Sequence, residues 1–282
     1  MTGFSIDWLD LREGADQRAR EHTLFEQAQL WLRTESGQRT DNTIVDLGAG
    51  TGSTLRAFDI AATPTAQITE QKSPSWRLVD QDPALLEEAK TRHGVSHQLK
   101  TYELNLTDIA ALPLQGAKLV TASALFDLVS SNFIDSFVAA LQSQCQQQPL
   151  GFYGALNYDG TTHWTPAHPL DEVVLSAFNR DQQRDKGFGL ALGPDAGPYM
   201  EQVFKSSGFR VLSANSPWVL GEAETKLVNA LISGIAEAVL NDPALDTKSL
   251  EDWVQFRKAN AATGTCVVGH TDLLALPNVR KN

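Results

Sequence analysis

A short apolar run followed by three closely spaced glycines, TIVDLGAGTGS at residues 43–53, constrains this chain more than any other stretch. TIVDL is nearly continuous in its apolar character, as expected of a strand buried on both faces. Gly48, Gly50 and Gly52 follow at once, and STLRAF then opens a helix. A strand, glycine turn and helix in this order let the backbone approach a ligand closely at the strand's carboxyl end. Such a turn serves a dinucleotide, a nucleoside triphosphate or an adenosyl group, and its flanking residues discriminate among them. The dinucleotide fingerprint has its third glycine at the sixth position of the motif, where Ser53 stands here. A phosphate-cradling loop ends in Gly-Lys-Ser/Thr, and no lysine lies in this turn. Asp46, two residues before the first glycine, would repel a pyrophosphate but suits an ammonium group. The turn favours a zwitterionic ligand.

Strand and helix signals alternate on either side. WRLVD (76–80) reads as a second strand and ends in Asp80, whose carboxylate can accept both hydroxyls of a ribose. A helix follows, punctuated by Asp82 as N-cap, Pro83 at its first position and Gly94 past its end. HQLKTYELNL, AKLVTAS and LGFYGALNY give strands three to five, and SNFIDSFVAALQSQ is an amphipathic helix between the last two. Residues 10–33 read as one N-terminal helix. ESGQRTDN breaks that pattern, and the 59–75 connection is unusually long. Beyond strand five the rhythm lapses, apart from a helix-like LDEVVLSAFNRDQQR, until the helix PYMEQVFKSSG and the strand FRVLSA; two late helices follow, the second with Ser249 and Asp252 as a capping pair. A last apolar strand, TCVVGHTDLLAL, completes a mostly parallel, two-sided sheet.

VDLGAGTG together with VDQDPALLEEA resembles the class I S-adenosylmethionine-dependent methyltransferases, over residues 41–157 and more loosely over 209–276. The resemblance implies an α/β fold: a Rossmann-like, seven-stranded, mostly parallel sheet with helices on both faces and a reversed last strand. An N-terminal helical cap (1–40) would precede the methyltransferase domain (41–282), with 157–200 as a substrate-covering insertion after strand five. It also implies S-adenosylmethionine as cofactor. Asp46, Gly48, Gly50 and Gly52 would line its methionine and ribose side, Asp80 would hold the ribose hydroxyls, and Gln81 would flank the adenine. Asn105 and Leu106 would meet the adenine edge, with Asp108 the alternative to Asn105. Ala122 and Ser123 would sit near the sulfonium.

For the acceptor side the candidates are fewer. Asp127 and His163 are candidate bases, since a positioned carboxylate or imidazole takes a proton near neutrality. Trp164 and Phe188 are candidate stacking residues for a flat or cationic substrate. Each has a structural alternative: Asp127 as a cap or salt-bridge partner, His163 as a loop residue, the aromatics as core. Arg18 and Arg20 could reach the cofactor carboxylate as fork donors, against the alternative of a solvated helix face.

Net charge and residue content narrow the class further. With a formal charge of −11 and no run of three basic residues, nucleic acid is not an expected partner. The two cysteines and six histidines show no metal-ligand spacing, so no metal is expected. No signal peptide and no apolar stretch of membrane-spanning length is evident, which leads to an expected cytoplasmic location. A Gly-x-Ser-x-Gly elbow is absent, which disfavours a hydrolase triad. The expected function is methyl transfer to a small molecule; the alternatives are a non-catalytic S-adenosylmethionine-binding protein and an RNA methyltransferase. Acceptor, atom methylated and oligomeric state are not legible.

Overall fold

The computed structural model describes residues 4–33, 42–61 and 73–278. The ESGQRTDN break before Asn42 and residues 62–72 of the long 59–75 connection lie outside the described residues.

Eight strands form one sheet: β1 (Thr43–Leu47), β2 (Ser75–Asp80), β3 (Leu99–Glu103), β4 (Leu119–Ser123), β5 (Gly151–Thr165), β6 (Phe209–Asn215), β7 (Trp218–Leu220) and β8 (Thr265–Pro277). The spatial order is β3-β2-β1-β4-β5-β8-β6, with β7 paired to the outer part of β8. β1 to β5 pair in parallel. β8 runs antiparallel to both β5 and β6, so it is the reversed last strand of the expected sheet. The three-residue β7 adds an eighth strand beyond the expected seven. It follows Pro217, and its ladder partner lies some fifty positions downstream, out of reach of local pattern.

Helices are α1 (Ile6–Ala19), α2 (His22–Arg33), α3 (Ser53–Ala61), α4 (Pro83–His93), α5 (Ser131–Cys145), α6 (Asp171–Gln182), α7 (Ala196–Ser206), α8 (Thr225–Val239) and α9 (Thr247–Ala259). Alternation along the strands sorts side chains to two faces. Ile44, Leu78, Leu119 and Tyr153 pack against α2, α3 and α4 in one layer, with Phe25, Phe58 and Trp76 in edge contacts. Val45, Leu47, Val79, Val120 and Phe152 pack against α5 and α7 in the other. A third cluster joins α1, α6, α8 and α9 to the outer ends of β5, β7 and β8. Each fully buried Leu, Ile, Val or Phe contributes roughly 1.5–3 kcal/mol, so the central strands anchor the turn that follows β1.

Local punctuation holds where its chemistry is local. The Asp82 carboxylate accepts from Ala84 N and Leu85 N, and Pro83 opens α4. At α9 the expected Ser249–Asp252 pair is replaced by Asp246, which accepts from Ser249 N at 2.9 Å and Ser249 Oγ at 2.6 Å. The helix starts two residues earlier than expected, because Asp246 offers its oxygen to Ser249 N.

The expected single helix over 10–33 is two helices. Arg20 leaves the helical region at ψ 131°, and the broken turn's donors find other partners. Glu21 N donates to Asp272 Oδ2 at 3.0 Å, and Leu24 N to Glu21 Oε2 at 2.6 Å. Within segment 157–200, residues 157–165 continue β5 along β8 where an irregular stretch was expected, and the helix-like LDEVVLSAFNRDQQR forms α6.

Candidate active site

β1 delivers the chain to a turn in which Gly48, Gly50 and Gly52 have φ of +63°, +52° and +85°. A side chain there would cost about 1–2 kcal/mol in backbone strain. Gly50 also lies beneath α1: a β-carbon would come within 3.1 Å of Leu9. Gly50 N donates to Asp80 Oδ2 at 2.9 Å, and Asp82 N donates to Asp80 Oδ1 at 3.0 Å. One carboxylate at the end of β2 therefore joins the glycine turn to the start of α4. Burial pushes its pKa up against the lowering effect of those backbone donors.

A cavity of about 390 Å³ opens over this turn at the carboxyl ends of the parallel strands. The structure brings Gly48, Gly50, Asp80, Gln81, Leu106 and Ser123 together on its wall, and Phe188 reaches it from the loop after α6. That is the arrangement of a ligand lying across strand ends at a topological switch point.

Other expected residues stand elsewhere. Gly52 faces His93, whose ring would lie 3.1 Å from an added β-carbon. Ala122 turns its side chain into the α5–α7 layer. Asn105 is exposed, and its Oδ1 accepts from Thr107 N and Thr107 Oγ1, so its side chain serves the local turn. His163 is exposed on the outer half of β5, opposite Val267, and does not line the cavity. Trp164 stacks over Arg257 at 5.0 Å and meets Trp253 edge-on, away from the cavity wall. Both were expected over the cleft; they are not, because β5 runs on along β8 instead of looping back.

Asp127 is buried in a 3-10 turn, flanked by Leu125 and Leu128 of the cavity wall. Its Oδ1 has no hydrogen-bond partner among the described residues. Burial raises its pKa to about 6, with its own backbone, Arg12 and the backbone of Tyr158 opposing.

A buried polar group sits behind the glycine turn. Asp46 is 1 % exposed; Thr121 Oγ1 donates to its Oδ1 at 2.7 Å, and its Oδ2 is unpartnered among the described residues. Burial pushes its pKa up to about 7, against the Thr121 hydrogen bond and the charge of Arg20. Arg20 is itself buried, not on a solvated helix face, and its Nη2 donates to Ser123 Oγ at 3.2 Å. Burial opposes its charge, but Tyr153, Asp272 and Asp16 raise its pKa overall. Arg18, by contrast, is a half-exposed partner of Glu224.

Sequence reasoning missed the contribution of α1. Leu9, Arg12 and Asp16, spaced at helical intervals, present one face of α1 to the cavity. Arg12 and Asp16 are joined by two hydrogen bonds of 2.8 and 3.2 Å, and Trp218 Nε1 donates to Asp16 at 2.9 Å. The i,i+4 pairing is visible in LREGAD, but a helix beginning at residue 10 hides the face containing Leu9. Gln182 and Lys186 complete the rim. No cluster of three or more metal-ligating side chains exists among the described residues.

No family description and no curated protein sequence matches the chain. Among solved structures it is similar to the cyclopropane synthase MmaA2 from Mycobacterium tuberculosis, at 12% identity over 96% of this chain and 94% of that one, with a TM-score of 0.49. It is also similar to the YcgJ protein from Bacillus subtilis, at 14% identity over 90% and 99%, TM-score 0.45. A third is the geranyl diphosphate C-methyltransferase from Streptomyces coelicolor A3(2), at 12% identity over 90% and 77%, TM-score 0.40. At such identities these likenesses decide neither substrate nor activity. The strand order itself, with the reversed β8 between β5 and β6, gives the chain the Rossmann-like fold of the class I S-adenosylmethionine-dependent methyltransferases.

Proposed function

We propose that the protein is an S-adenosylmethionine-dependent methyltransferase acting on a small molecule. The observation that carries this reading is the Gly50–Asp80 hydrogen bond at the wall of the strand-end cavity. It fixes a carboxylate that accepts two backbone donors and keeps lone pairs free for a ribose diol. The turn beside it offers close backbone approach without the lysine that phosphates require. Asp46, expected to line the methionine side of the cofactor, is instead buried behind the turn and does not line the cavity.

When bound, the cofactor supplies an activated methyl group on a sulfonium. The chain's own contribution is chiefly positioning, since in-line transfer needs reacting atoms about 3–3.5 Å apart. Asp80 orients the ribose. Leu106 and Leu9 supply apolar contact and exclude water. The acceptor side is formed by Leu125, Leu128 and Phe188, with α1 and the 182–188 segment as a cover over the cavity. Asp127 lies behind Leu125 and Leu128 and is not on the cavity wall, so it would serve as a base only through an intervening group. His163 has no place in this arrangement.

The test is calorimetric titration with S-adenosylmethionine, NAD and ATP, on the wild type and on Asp80→Asn. Selective binding of the adenosyl cofactor, weakened in the variant, supports the reading. Selective binding of NAD or ATP would overturn it. A small-molecule acceptor is favoured over RNA by the net charge of −11.

A further inference from the structure

Arg56, in the first turn of α3, has all five N–H groups of its guanidinium engaged. Nε and Nη2 donate to the two Glu13 carboxylate oxygens at 2.5 and 2.7 Å. Nη2 also donates to Thr51 Oγ1 at 3.1 Å, and Nη1 to Thr51 O at 2.6 Å. The fifth contact runs from Nη1 to His93 Nε2 at 2.9 Å, where the imidazole accepts because arginine carries only donors. One planar group thus joins α1, the glycine turn and α4. Thr51 is on the cavity wall beside Gly50, whereas neither Arg56 nor Glu13 lines the cavity. Glu13 lies one turn after Leu9 on α1, and Leu9 covers Gly50. Arg56 therefore grips the turn from behind and, through Glu13, holds α1 down over its front. A second pair, Arg92 to Asp10 at 2.6 and 2.9 Å, ties α1 to the end of α4. Asp10 is 44 % exposed and Glu13 only 17 %, so the Arg56 pair is the less screened of the two.

We infer that Arg56 is a positioning residue that couples the closed position of α1 to the shape of the glycine turn, so that a ligand leaves the cavity only when the Glu13–Arg56 pair opens. This deepens the cofactor reading and rests on it. Leu9, Arg12 and Asp16 of α1 belong to the cavity wall, so the cavity is complete only with α1 in place. Lifting α1 takes Glu13 from Arg56 and breaks two charge-assisted hydrogen bonds at once. The same guanidinium holds Thr51, so the turn loosens as the helix leaves. Closure of α1 and filling of the cavity then favour each other by the same factor. A lysine at this position keeps the charge, but a point charge on a flexible stem cannot hold Glu13, Thr51 and His93 together.

The experiment measures association and dissociation rates of S-adenosylhomocysteine by stopped-flow tryptophan fluorescence. The proteins are the wild type, Glu13→Ala, Arg56→Lys, Arg56→Met and the Glu13→Ala/Arg56→Met double variant. Tryptic cleavage of α1, at Arg12 or Arg18, reports its opening with and without ligand. In the wild type the ligand should slow that cleavage. Glu13→Ala, which keeps a strong helix former in α1, should speed dissociation about tenfold or more without slowing association. It should also speed cleavage of the ligand-bound protein to a similar degree. Arg56→Met should do the same, Arg56→Lys should restore part of the loss, and the double variant should release ligand little faster than Arg56→Met alone. If Arg56→Met fails to fold, Glu13→Ala decides alone. A dissociation rate unchanged by Glu13→Ala, or cleavage of α1 indifferent to ligand in the wild type, would overturn the inference while sparing the cofactor reading. A wild type that does not bind S-adenosylhomocysteine overturns both.

Discussion

Gly50 and Asp80, thirty residues apart, are joined by a 2.9 Å hydrogen bond from the glycine N–H to the carboxylate, and Asp82 N secures the other carboxylate oxygen. The acid that would hold the ligand is therefore also the acid that shapes the turn. Asp80→Ala should abolish adenosyl binding and lower stability, since two buried N–H groups lose a charged acceptor at about 1.5–3 kcal/mol each. Asp80→Asn should weaken binding with a smaller thermal shift, because its amide oxygen still serves one donor. Calorimetry and thermal melts on the two variants separate the two effects.

Gly50→Ala combines a positive φ with a 3.1 Å approach to Leu9. The backbone strain alone is about 1–2 kcal/mol, and the added methyl must push α1 outward. We expect a lower melting temperature and faster proteolytic cleavage within α1. Gly48→Ala, whose neighbour Leu125 stands at an ordinary 3.5 Å, should show the strain without the displacement of α1. Equal cleavage in the two variants would contradict this.

Stability should fall as pH rises from about 4 to 7. Burial raises Asp46 to about 7 and Asp127 to about 6, from 3.8. Through these two acids the folded chain binds more protons over that interval than the unfolded chain, which makes their slope of unfolding free energy with pH negative; His270, lowered by burial to about 3, opposes one of them below its ordinary 6.5. Each acid lowers stability by at most about 1.4 kcal/mol for every pH step of one within that interval. Asp46→Asn keeps an oxygen for Thr121 and removes the buried titration. It should flatten the profile and be more stable than the wild type at pH 8 in urea denaturation. A profile as steep as that of the wild type would refute the assignment.

Asp272 is fully buried; it accepts from Leu156 N at 2.8 Å, Tyr153 Oη at 2.7 Å and Glu21 N. It also favours the charge of Arg20. Asp272→Ala leaves that cation and three donors short, an expected loss of about 3–5 kcal/mol. Urea unfolding midpoints measure it directly.

What the sequence disclosed follows from range. The glycine turn, the apolar strands and the Asp82 cap depend on residues within a few positions of one another, and all are legible. The break at Arg20 is not, because it depends on Asp272, 251 positions beyond Glu21. His163 and Trp164 are expected over the cleft only if β5 ends near Tyr158; its last residues are held by pairing to β8, which local pattern does not contain. Asn105 matches a family position, yet a turn two residues long claims its side chain. Ser123 is legible by position, and its connection to Arg20 only from the structure.

The junction after Ala19 ties helix length to rotational phase. Glu21 is pinned to Asp272, so α2 holds its place whatever happens upstream. One residue inserted between Asp16 and Ala19 would turn everything before it by about 100°. Leu9 and Arg12 would swing off the cavity, and Asp10 and Glu13, now paired to Arg92 and Arg56, would lose their partners. The number of residues between Leu9 and the break is thus as much a part of the site as the residues themselves.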